Sequence, residues 1–188
     1  MNQPTTLKDN PCWLGMPDPR DTGAIEIVPF HDEHAAAFYQ LNRAWLDAHA
    51  LYEAEDERQL AHPRKEILDA GGAIFVAVER GMVVATAAMI PHGPGELEMA
   101  KVTVAAAARG RGLGRRLVDH CLAYARRVGA RRVVLVSSTR LEAALRLYEA
   151  MGFVHRPLPA ALPYATADVY MERDMELDVG GSRVTRPN

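Results

Sequence analysis

The chain has 188 residues, 48% of them hydrophobic, 24% charged and 6% aromatic, with a formal net charge of −2. That length suits one domain with its own core, and the composition is that of a soluble globular protein. A charge so near neutral excludes recruitment to nucleic acid by an overall field, so any basic cluster acts locally. The two cysteines, Cys12 and Cys121, form neither a disulfide framework nor a CxxC pair, which makes a reducing, cytoplasmic compartment the expectation. Residues 1–22 hold no apolar run of the kind a signal peptide or membrane span needs; their prolines, aspartates and glycines predict an extended arm. A single domain is expected over 23–177, followed by a frayed tail over 178–188.

In chain order, Ala24-Ile25-Glu26-Ile27-Val28 alternates as a strand does. From His31 to about Ala48, Phe38, Leu41, Trp45 and Leu46 recur at helical spacing. A second helix is expected from Glu57 to Ala70, stopped by Gly71-Gly72. Ala73–Glu79 and Val83–Ile90 read as two strands of a hairpin turning at Arg80-Gly81. Glu96–Val104 is a further strand. Gly112–Val128 is the clearest helix, with an apolar stripe through Leu113, Leu117, Cys121, Ala125 and Val128. Strand Arg132–Val136, helix Leu141–Met151, a short strand at Phe153-Val154, a proline-rich loop over 156–165 and strand Asp168–Met175 complete the chain. Strands and helices in this order make a mixed α/β (α+β) domain around a central, mostly antiparallel sheet.

Four arginines, Arg109, Arg111, Arg115 and Arg116, are threaded through Gly110, Gly112 and Gly114 at the start of the clearest helix. Cations are disfavoured at a helix N-terminus, where the helix dipole is positive. The pattern makes sense when a polyanion sits there: glycines admit it to the backbone, free N–H groups point at it and arginines surround it. The loop is neither a P-loop, because no Gly-Lys-Ser/Thr follows, nor the GxGxxG dinucleotide fingerprint.

Arg109-Gly110-Arg111-Gly112-Leu113-Gly114, after a strand and before an amphipathic helix, resembles the R-x-x-G-x-G loop of the GNAT superfamily of N-acyltransferases. The segment Ala143-Ala144-Leu145-Arg146-Leu147-Tyr148-Glu149-Ala150-Met151-Gly152-Phe153 resembles a second segment of that family. The resemblance covers roughly residues 24–176 and implies a GNAT-like sheet with helices on both faces. It implies acetyl-CoA as co-substrate, its pyrophosphate held by the loop from Arg109 to Arg115 and its pantetheine arm bonded to the backbone of Val102, Thr103 and Val104. Ser138 stands where many members have an asparagine that contacts CoA. Ala106 departs from the proline common there. The family's tyrosine falls on Tyr148, which the resemblance makes the general acid for the departing thiolate; the alternative is a core tyrosine. A homodimer is an assembly state the resemblance also implies.

Glu98 comes from the residues themselves. Alternation places Glu96, Glu98, Ala100, Val102 and Val104 on one strand face. Apolar neighbours raise a carboxylate's pKa toward that of a working base, which an amine acceptor needs. The alternatives are a strand-edge glutamate in solvent, a partner for Lys101 or an arginine, and Glu96 in its place. For the acceptor, the resemblance points to about 45–58 and 156–168, hence to Trp45, Glu55, Asp56 and Tyr164. Acids and aromatics there suit a cationic amine, or are an ordinary solvated helix start. Cys121, on the apolar stripe, is expected to be a core thiol. His31 and His34 lack the companions of a metal site, so no metal is expected.

Three functions follow. The first is an acetyl-CoA-dependent N-acetyltransferase acting on a small-molecule or peptide amine by direct attack, with neither membrane nor nucleic acid as partner. The second is a non-catalytic acyl-CoA-binding sensor of the same fold. The third, nucleic-acid binding through the arginines, has the charge balance against it.

Overall fold

The computed structural model describes residues 23–175; the expected arm 1–22, with Cys12, and the tail expected over 178–188 lie outside the described residues. Seven strands form one sheet: β1 (Glu26–Pro29), β2 (Ala73–Glu79), β3 (Met82–Gly93), β4 (Glu96–Val104), β5 (Arg132–Ser137), β6 (Val154–Arg156) and β7 (Val169–Asp174). Their spatial order is β1-β2-β3-β4-β5-β7-β6. Every neighbouring pair is antiparallel except β4 and β5, which run parallel. Four α-helices, α1 (Ala35–Ala48), α2 (Ala54–Ala61), α3 (Leu113–Arg127) and α4 (Glu142–Ala150), cover it.

The strand period of two sends β2 to both faces at once. Ile74 and Val76 pack with Phe38, Leu60 and Ile67 under α1 and α2. Phe75 and Ala77 pack with Leu117, Val118, Cys121 and Leu122 of α3 and with Tyr148 and Met151 around α4. Helices therefore lie on both faces. Cys121 is fully buried, as its place on the stripe predicts, and burial pushes its thiol up to about 12. Val128, expected on the same stripe, is exposed: it lies beyond the end of α3.

The expected helix over 57–70 is two pieces. α2 begins at Ala54, where the Asp56 carboxylate accepts the Glu53 N–H at 3.1 Å. It ends at Ala61, and a π-helical turn, Arg64–Leu68, follows Pro63. Proline has no N–H and its ring crowds the preceding turn, so a continuous helix through position 63 is disfavoured.

One departure governs the site. Lys101 has φ +54°, left-handed for a residue with a side chain. Its strand carries one residue too many there: Ala88 pairs with Ala100, but Thr86 pairs with Thr103. This is a β-bulge, and a bulge shifts the alternation by one. Hence Val102 and Val104 pack with Leu97 and Met99 in the α3-side core, whereas Thr103 faces α1. The expectation that Glu98, Ala100, Val102 and Val104 share a face is corrected: the face changes at Lys101. Buried polar groups hold the bulge. Thr86 Oγ1 donates to the Lys101 carbonyl at 2.8 Å, Asn42 Nδ2 donates to Thr86 Oγ1 and to the Phe38 carbonyl, and Thr103 Oγ1 donates to Asn42 Oδ1. Such satisfied networks fix a strained backbone that local preference disfavours.

Candidate functional site

The bulge leads to a parting of strands. The β4–β5 ladder pairs Glu96 with Arg132, Leu97 with Val133 and Glu98 with Val134, and stops there among the described residues. Past this point a cleft opens, with Met99 to Thr103 on one wall and Val136, Ser137 and Ser138 on the other. α4 flanks it with Leu141, Ala144 and Tyr148. A parted parallel pair leaves main-chain donors and acceptors free for an extended ligand.

At one end lies the glycine–arginine turn. Gly110 and Gly112 both have φ +74°, and a Cβ on either would meet nothing within 4 Å. They serve the left-handed backbone and leave open space above it. Gly112 is the N-cap of α3, and the first helical bond of that helix runs from Arg116 N to the Gly112 carbonyl. The N–H groups of Leu113, Gly114 and Arg115 precede it, at the positive end of the dipole. Gly114 packs closely, because a Cβ there would stand 3.3 Å from Leu147 of α4. A second hollow is lined by Val104, Arg109, Gly110, Gly112, Arg115 and Leu147 among others. Arg109 Nε donates to the Val104 carbonyl at 3.2 Å.

The other two arginines are engaged elsewhere. Arg111 makes a two-pronged pair with Glu79 at 2.7 and 2.9 Å, which holds the Glu79 carboxyl below its ordinary range. Arg116 donates to the Ile25 carbonyl at 2.8 Å. Part of the charge excess at the helix start is thus relieved within the fold, and Arg109 and Arg115 face the hollow.

At the other end stands Glu98, whose side chain is 15% exposed. Burial raises its pKa; His92, with Nδ1 4.0 Å away, and Lys101 act in the opposite sense. Asp56 and Tyr164 reach the same cleft from α2 and the late loop, and Trp45 from α1. Lys101 Nζ lies 2.5 Å from Asp56 Oδ1, both side chains being 5% exposed, and 3.3 Å from the Tyr164 hydroxyl. Burial first, then the nearby Asp56 and Glu98 carboxylates, drive the Tyr164 pKa up. Glu53 ties the late loop down, accepting from the N–H groups of Ala165 and Thr166 and from Thr166 Oγ1. Burial opposes the ionised form of Glu53, yet these bonds leave its pKa lowered.

Tyr148 lines the cleft from α4, next in sequence to Leu147 of the second hollow. It is buried edge-on against Phe153, its hydroxyl has no hydrogen-bond partner among the described residues, and burial raises its pKa. Ser138 is also buried in the cleft wall, where its Oγ accepts the Arg140 N–H at 3.4 Å.

Most residues singled out from sequence therefore line two neighbouring hollows: Glu98, Tyr148, Val102, Thr103, Ser138, Trp45, Asp56 and Tyr164 the cleft at the parted strands, and Val104, Arg109 and Arg115 the hollow at the turn, with Leu147 and Tyr148 of α4 consecutive between the two linings. Glu55 is not on the wall; it bonds Arg58 and Gln59. The pairing of Lys101 with Asp56 and the Glu53 strap are not among the sequence expectations. A lysine within a strand of otherwise small and apolar residues was the available signal for the first. Among the described residues no three His, Cys, Asp or Glu side chains are placed to hold a metal ion, and no helix is long and apolar enough to cross a membrane.

With this geometry in view, comparison with known proteins is decisive. Residues 30–153 match the model of the acetyltransferase (GNAT) family. The chain belongs to that family. A curated relative, N-acetyltransferase family 8 member 2 of Rattus norvegicus, is 34% identical over 102 residues, covering 52% of this chain and 45% of the relative. The chain thus aligns with less than half the length of that protein. Among solved structures, an acetyltransferase of the GNAT family from Staphylococcus aureus matches with a TM-score of 0.75 at 17% identity, over 81% of this chain and all of that one. A putative acetyltransferase from Salmonella typhimurium, solved with its cofactor acetyl-CoA, matches with a TM-score of 0.64 at 23% identity, over 85% and 99%. At such identities the structural matches establish a shared GNAT fold.

Proposed function

We propose that the chain is an acetyl-CoA-dependent N-acetyltransferase that acetylates a primary amine by direct attack in a ternary complex. The observation that carries this reading is the pair of hollows along β4: an anion-suited turn beyond its end, and a cleft that holds a buried carboxylate and an unbonded tyrosine hydroxyl. The residues fit the co-substrate. Gly110 and Gly112 leave space for phosphates, the N–H groups of Leu113 to Arg115 and the Arg109 and Arg115 side chains suit their charge, and the free edges of β4 and β5 suit an amide-bearing arm. When bound, acetyl-CoA supplies the activated acetyl group as a thioester.

The protein's own work is proton transfer and placement. Glu98, poised by burial, takes a proton from the acceptor ammonium and so frees the lone pair that attacks. Tyr148, its pKa raised, stays protonated at neutral pH and is available to give its proton to the leaving sulfur. Cys121 is buried in the core with an elevated pKa and takes no part.

Tyr148→Phe is expected to lower kcat about 10²-fold with little change in the KM for acetyl-CoA, read by thiol release. Unchanged kcat removes Tyr148 from the chemistry. Gly112→Ala places a side chain at φ +74°, a strain of roughly 1–2 kcal/mol. It is expected to raise the KM for acetyl-CoA about tenfold, with kcat nearly kept; an unchanged KM argues against phosphate binding at this turn.

A further inference from the structure

We infer that the acceptor is a primary amine bearing an apolar aryl or alkyl group and no second charge; this rests on the amine-acetylation reading above. The segment 53–57 is rich in acid, but each carboxylate there is already engaged. Glu53 holds Ala165 and Thr166, and Glu55 holds Arg58 and Gln59. Asp56 holds Lys101 and the Glu53 N–H, and Glu57 accepts from Tyr39 and Tyr52. Glu98 is the one carboxylate among the described cleft-lining residues with no hydrogen-bond partner; His92 Nδ1 lies 4.0 Å from it.

That single free carboxylate matches a single ammonium. A polyamine brings a second ammonium to a wall with no free acid for it, and desolvating an unpaired charge is costly. A carboxylate on the acceptor fares no better. Lys101 is the one Lys or Arg among the described residues lining the cleft, and Asp56 occupies it at 2.5 Å. The rest of an acceptor meets Trp45, Leu46, Leu51 and the Tyr164 ring, which favour apolar area. The acids of 53–57, which in the sequence suit a polycation, build the walls of the cleft instead.

The test separates acceptor preference from turnover. The full chain, saturated with CoA, is titrated with phenethylamine, phenylalanine and spermidine by calorimetry, and the same compounds are offered with acetyl-CoA in a thiol-release assay. Phenethylamine is expected to bind at least about tenfold more tightly than either other compound. Trp45→Ala, checked by an unchanged thermal transition, is expected to weaken phenethylamine about tenfold. Tighter or equal binding of phenylalanine or spermidine, no binding of phenethylamine, or an unchanged affinity in the Trp45 variant overturns the inference. If the expected affinity order holds but no compound releases thiol, the acceptor class stands and the acetyl-transfer reading falls.

Discussion

Glu98→Gln is expected to lower kcat/KM by about 10²–10⁴-fold while raising the thermal stability of the protein at alkaline pH. Both effects have one cause. Burial lifts the Glu98 pKa above its ordinary 4.5, so the folded protein holds this proton more tightly than the unfolded chain does. The group's contribution to stability is complete below the unfolded value and is lost as pH rises through the higher folded value. In alkaline solution the ionised carboxylate therefore opposes folding, and glutamine relieves that opposition. Catalysis runs the other way, because only the ionised form accepts a proton. The acidic limb of the wild-type rate profile is expected to follow the raised value and to vanish from the residual activity of the variant. A variant that keeps full rate, or loses stability at high pH, contradicts the assignment.

The second large effect concerns the Lys101–Asp56 pair in the cleft wall. Lys101→Met is expected to cost about 3–5 kcal/mol of stability, a fall in Tm on the order of 10 °C. The pair is nearly excluded from water, with each side chain 5% exposed and Nζ 2.5 Å from Oδ1. Removing the ammonium leaves the Asp56 carboxylate buried without its counter-charge. The double variant Asp56→Asn, Lys101→Met removes that charge, and the asparagine oxygen still accepts the Glu53 N–H that opens α2. It is expected to recover more than half the loss, which chemical denaturation of all four proteins in the cycle measures. Equal losses in single and double variants would point to the bulge backbone, rather than the charge pair, as what Lys101 supports.

The bulge also explains where sequence reading succeeded and where it stopped. The α3 stripe, the left-handed glycines and the placement of Tyr148 are local: helical spacing and residue type specify them within one stretch of chain. Glu98 lines the cleft, and the strand alternation that places it holds from Glu96 to Ala100 and changes at Lys101, so Val102 and Val104 do not share its face. That change depends on Thr86 and Asn42, 15 and 59 residues earlier, and no window along β4 contains them. Pro63 did mark the break in the second helix, and the expectation of a continuous helix passed over it. The acids of 53–57 were visible as charge, but their partners Lys101, Ala165 and Thr166 come from distant segments. Tertiary contact ties Glu53 to the late loop and Asp56 to Lys101. The four arginines divided in the same way, Arg111 toward Glu79 and Arg116 toward Ile25.

The measurement that bears most directly on the account is amine-dependent thiol release from acetyl-CoA by the full chain, with the amine product identified by mass. The account predicts thiol release in step with the appearance of a mono-acetylated amine, together with a rise in Tm when acetyl-CoA binds. A protein whose Tm rises with acetyl-CoA but which releases no thiol with any amine across a broad panel would contradict it, and would make the groove a binding site without turnover.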